Sequence, residues 1–79
     1  MLKKRIFAKA VAADVHAGMG DTALMEKYDL NAKQLERVLR RMVDAGLIDH
    51  MQLYERTRLS DSLITRLFLD RWRASRELD

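Results

Sequence analysis

Residues 21–46, DTALMEKYDLNAKQLERVLRRMVDAG, constrain the fold most, because both ends of their long helix carry cap chemistry. The stretch reads as a short helix over 22–27, a tight turn at Tyr28, Asp29 and Leu30, and a longer helix entered at Asn31. Asn31 can accept a hydrogen bond from the free amides of the first turn, and Gln34 lies three residues on, where a capping box returns its side chain. Leu35, Val38, Leu39 and Met42 recur at helical spacing as one apolar stripe, with Lys33, Arg37, Arg40 and Asp44 opposite. Gly46 suits the left-handed residue that stops a helix, and the apolar Leu47 follows it as a Schellman motif requires.

Helix is expected elsewhere too, because breakers are scarce. Proline is absent, glycine occurs three times, and hydrophobic residues make up 48% of the chain. A lead helix over 3–17 carries Ile6, Phe7, Ala10, Val11, Ala13 and Val15, with Gly18 as its C-terminal cap. Asp21 is the expected N-cap of the second helix, which buries Leu24, Met25 and Tyr28. Asp49 with Gln52 repeats the capping box and opens a short fourth helix. Ser60 then caps a last helix over 61–77, built on Leu63, Ile64, Leu67, Phe68 and Trp72, with Asp61 complementing its dipole. The fold class is therefore all-α: a compact five-helix domain. At 79 residues it is a single domain, and without cysteine its stability must come from helix packing.

Shifting the chain by 29 positions lays LMEKYDLNAKQLERVL over LYERTRLSDSLITRLF. Leu24 meets Leu53, Glu26 meets Glu55, Leu30 meets Leu59, Arg37 meets Arg66, and the caps Asn31 and Ser60 coincide. A shared cap, turn and arginine in one register suggest a lead helix plus two tandem helix-turn-helix-like units, at 21–46 and 49–77. Two amphipathic helix pairs also share part of this pattern without duplication.

The segment LMEKYDLNAKQLERVLRRM resembles the helix-turn-helix of bacterial DNA-binding proteins, over about a third of the chain. In such units a small residue lets the helices approach, a glycine makes the turn, and an aliphatic residue anchors the second helix. Met25, Asp29 and Leu35 hold those places here; Leu35 fits, Asp29 tolerates a left-handed turn, and Met25 departs through its bulk. MVDAGLI is similar to the close of winged-helix recognition helices, but HMQLYERTRLSD reads as helix where a β-hairpin wing would follow. GMGDTALMEKYDL also looks like short, uncharacterised bacterial helical modules.

The resemblance implies a DNA-binding or transcription-associated module whose third helix reads the duplex. Lys33, Gln34 and Arg37 would then face base edges, while Arg40 and Arg41 meet phosphate. A net charge of +3 and a pI near 9.6 are compatible with a polyanionic partner. The same residues also read as a solvated face paired within itself, Glu36 with Arg40 and Arg40 with Asp44 at i,i+4 spacing. Lys3, Lys4 and Arg5 read as a charged helix start or a phosphate-tracking arm, and the charges of Arg66, Asp70, Arg71, Arg73, Arg76, Glu77 and Asp79 as a solvated end. Phe68, Leu69 and Trp72 support an alternative, a protein-interaction or dimerisation module, because Leu69 falls off the main apolar face of the last helix.

Catalysis finds no support. His16 and His50 stand far apart, without nucleophile, metal-ligand spacing or a glycine-rich phosphate loop, so no enzyme activity, metal or cofactor is expected. Lys9 and Asp14 interrupt the apolar start, and no stretch reaches the length of a membrane span. A cytoplasmic protein with DNA, a protein partner or a second copy as its ligand, and no membrane association, is the expectation.

Overall fold

The computed structural model of the chain describes residues 8–77. Among them are five helices and no strand: α1 (Ala8–His16), α2 (Asp21–Tyr28), α3 (Ala32–Asp44), α4 (His50–Arg56) and α5 (Leu63–Glu77). The expected start of the lead helix at Lys3, with Lys4, Arg5, Ile6 and Phe7, lies outside the described residues, as do Asp79 and the side chains of Arg76 and Glu77. No helix among the described residues is long and apolar enough to cross a membrane. The Cα radius of gyration is 12.2 Å, close to the ~11.6 Å of a compact chain this long.

The first three helices stop in one way. Gly18, Asp29 and Gly46 take φ of 90°, 55° and 75°, and the next amide donates back to a carbonyl five residues earlier. Met19 bonds Asp14 at 3.0 Å, Leu30 bonds Met25 at 2.8 Å, and Leu47 bonds Met42 at 2.9 Å, satisfying carbonyls that the helix leaves open. Asp29 accepts the left-handed conformation that glycine would take at less cost, about 1–2 kcal/mol being the usual penalty. Both capping boxes form: Asn31 with Gln34 at α3, and Asp49 with Gln52 at α4.

The core is continuous through the domain. Val11 and Val15 of α1, Leu24 of α2, Leu35, Leu39 and Met42 of α3, Leu53 of α4, and Ile64, Phe68 and Leu69 of α5 are all buried. Helix α5 is the central support, packing on α2, α3 and α4, while α1 lies against α3. Truncating a leucine from such a core costs about 2–5 kcal/mol. Met25 and Tyr28 are half-buried against it rather than enclosed.

Two expected caps are displaced. Asp21 is not the N-cap of α2 but its first residue, Gly20 being the cap, and the Asp21 side chain is buried. Its carboxylate turns to α5, where it accepts from the Thr65 amide at 2.8 Å. Neither Ser60 nor Asp61 opens α5, which begins at Leu63. Asp61 serves α2 instead, accepting from the Thr22 amide and hydroxyl, both at 2.8 Å. Ser62 is fully buried, and its hydroxyl donates to the Leu59 carbonyl at 2.7 Å. Along the 29-residue echo, Asp21 and His50 do open α2 and α4. The correspondence then fails, since Asn31 caps α3 while Ser60 lies in a bend and α5 starts two residues late.

A buried polar junction ties α2, α4 and α5 together. Arg56 Nη2 donates to Asp21 Oδ1 at 2.8 Å, with the two side chains 3% and 1% exposed. Arg56 Nε donates to Thr65 Oγ1 at 3.0 Å, and the Thr65 hydroxyl donates in turn to Asp21 Oδ1 at 2.7 Å. Arg56 Nη1 donates to the Met19 carbonyl. Each guanidinium nitrogen thus has an acceptor, the condition under which a buried charge is tolerated.

Candidate nucleic-acid interface

Helix α3 presents its polar face as its apolar stripe dictates. With Leu35, Leu39 and Met42 buried, Lys33, Gln34, Arg37, Arg40 and Arg41 are all exposed. Spacing then divides these five residues. Lys33, Arg37 and Arg40 recur at i, i+4 and i+7 on one side, where a groove of about 290 Å³ runs between α3 and α5. Lys33, Glu36, Arg37 and Arg40 form its α3 wall; Phe68, Arg71 and Trp72 form the α5 side. Arg41 is exposed but does not line the groove, and neither does Gln34.

Gln34 is already engaged. Its Oε1 accepts from the Asn31 amide at 2.8 Å, while Asn31 Oδ1 accepts from the Gln34 amide at 2.8 Å. A bidentate grip on adenine needs that same oxygen as acceptor, so the base-reading role expected of Gln34 conflicts with its capping role.

The expected pairing within α3 is half present. Arg40 stands 3.9 Å from Asp44, both about two-thirds exposed, a loose contact of little energy. Glu36 does not pair with Arg40. Its carboxylate meets Arg71 of α5 at 3.4 Å, with side chains 16% and 72% exposed. Glu36 sits at the margin of the buried stripe, on the side facing α5, and so reaches across the groove rather than along its own helix. Four cations and one carboxylate line the groove among the described residues.

Phe68 and Leu69 offer almost no open surface, Phe68 reaching only the floor of the groove. They are 4% and 2% exposed, inside the chain's own core. Helix α5 has neighbours on several sides, so its buried arc spans Ile64, Thr65, Phe68 and Leu69, wider than a single-neighbour stripe. Leu69 lies off a single-neighbour stripe and is enclosed by this wider arc. The large apolar residues that α5 does expose are Leu63 at 64% and Leu67 at 39%. Trp72 is half-buried, its ring stacked on His50 with centroids 5.0 Å apart and planes 29° from parallel. His50 also meets Asp49 at 3.2 Å and the edge of Tyr54.

His16 does not line this groove, and its Nδ1 stands 3.4 Å from Gln52 Nε2. Arg71 was missed from sequence because nothing near it in the chain marks it as a partner of α3. Arg56 and Asp21 did leave a signal: each falls three residues from a buried leucine, Leu53 and Leu24, where an ionisable side chain faces inward. No protein-family model, curated protein or solved structure matches the chain.

Proposed function

We propose that this chain is a small DNA-binding, transcription-associated module of helix-turn-helix type, engaging the phosphate backbone through the α3–α5 groove. The observation that carries the reading is the gathering of Lys33, Arg37 and Arg40 along one wall of that groove. Arg41 flanks this wall on the same helix. Two features argue for backbone contact over base reading: the cations are long, exposed side chains, and Gln34 is spent on its cap.

The three α3 cations by themselves contribute about −2.7 to the salt slope, so affinity for mixed duplex DNA falls at least roughly 40-fold between about 50 and 200 mM salt. Changing Arg37 and Arg40 together to Ala removes most of that slope while helical content stays intact. Absence of any mobility or anisotropy shift at low salt would sink the proposal.

A second reading, a protein-interaction or dimerisation module, draws on Leu63 and Leu67, exposed one turn apart on α5. Sedimentation of wild type against Leu63→Ser/Leu67→Ser decides it. A wild-type monomer with unchanged behaviour in the variant counts against this reading.

A further inference from the structure

We propose that Arg71 is a phosphate-contacting residue and that Glu36 is its resident intramolecular competitor, so that DNA binds by taking the guanidinium away from Glu36. This rests on the groove being a DNA interface, as read above. Among the described residues, Arg71 is the one cation of the groove supplied by α5, and its contact with Glu36 at 3.4 Å links the two walls. A carboxylate offers a guanidinium the same pair of oxygens that a phosphate edge offers, so Glu36 holds the position a phosphate would take.

The asymmetry of exposure makes the exchange feasible. Arg71 is 72% exposed and its Nη1 stands 3.4 Å from Glu36 Oε2, whereas Glu36 is 16% exposed and sits within the groove. An ion pair with one partner so open to water is weak, and a backbone phosphate arrives with Lys33, Arg37 and Arg40 already beside it. Once released, Glu36 has Lys33 and Arg40 within i,i+3 and i,i+4 reach, so its charge is not stranded. Glu36 thereby sets a threshold: isolated anions meet a partly neutralised groove, while a polyanion engages all four cations.

The test is a double-mutant cycle on a short mixed-sequence duplex, read by anisotropy across a salt series. Glu36→Gln tightens binding roughly fivefold, the scale of one exposed ion pair. Arg71→Ala weakens binding and reduces the salt slope by about one. In the Arg71→Ala background, Glu36→Gln loses its effect. Asp44→Asn controls for simple removal of a negative charge and gives a smaller gain that is the same in both backgrounds. A Glu36→Gln gain equal in both backgrounds, or an Arg71→Ala variant with unchanged affinity and slope, overturns this proposal while leaving the groove a DNA interface. Failure of both wild type and Glu36→Gln to bind overturns the interface and this proposal together.

Discussion

Asp21 and Asp61 exchange duties at the starts of two helices. Asp21, the first residue of α2, caps the first turn of α5 through the Thr65 amide, and Asp61, just before α5, caps α2 through the Thr22 amide, each bond 2.8 Å. The Asp21 amide also donates to the Asp61 carbonyl at 2.8 Å. Two helix N-termini are thus held side by side, each neutralised by the other's carboxylate. This junction fixes α5 against α2, and α5 in turn supplies Arg71 to the groove.

Asp21→Ala removes the acceptor of both Arg56 and Thr65 and leaves a buried guanidinium uncompensated. The expected loss is about 3–5 kcal/mol of stability in urea denaturation. A loss below about 1 kcal/mol contradicts the account of the junction.

Gly20 is required for clearance rather than for its backbone angles. A methyl there would lie 2.8 and 2.9 Å from Cβ and Cγ of Asp61, which is pinned to Thr22. Gly20→Ala forces Asp61 aside and costs about 1–3 kcal/mol, measurable as a lowered unfolding midpoint. Ala at the exposed and unobstructed Gly18 tests the other case, where only the positive φ is strained.

The α1–α2 contact depends on pH at both extremes. Asp14 accepts from Lys27 at 2.8 Å and from Tyr28, and these bonds, that from Lys27 foremost, hold its carboxyl below the ordinary 3.8. Asp14 in turn raises the Lys27 ammonium above 10.5 and the Tyr28 phenol above 10.0. A lowered acid contributes stability above pH 3.8 that is lost as pH falls through its folded value. The raised Lys27 and Tyr28 contribute fully below pH 10.0 and lose it as pH rises through their folded values. The difference in thermal midpoint between wild type and Asp14→Asn should be level near neutrality and shrink at each extreme. A pH-independent difference contradicts this.

Gln34 separates capping from recognition. Asn31→Ala costs about 1 kcal/mol. Gln34→Glu keeps the acceptor for the Asn31 amide and leaves stability within about 0.5 kcal/mol. Gln34→Ala lowers stability without altering sequence preference; a changed preference would restore its base-reading role.

The features legible in sequence are those whose partners lie within one helical turn. Asn31 with Gln34, Asp49 with Gln52 and Gly46 with Leu47 formed as their spacing required, and so did the stripe of Leu35, Leu39 and Met42. Local backbone geometry places such groups together whatever the rest of the chain does. Lys33, Arg37 and Arg40 were identified as one exposed face for the same reason.

What the tertiary structure decided is which of several similar partners each polar side chain takes. Asp21 stands near its own helix start, yet it bonds Thr65, 44 residues away; Asp61 bonds Thr22 at a separation of 39. Glu36 had Arg40 one turn along α3 and took Arg71 across the groove. Local and remote hydrogen bonds differ by about 1 kcal/mol or less, so spacing cannot rank them. The packing of α5 against three helices ranks them, by removing water from one alternative and leaving it at the other. That packing also buried Phe68 and Leu69 and turned a charged face of one helix into a groove between two.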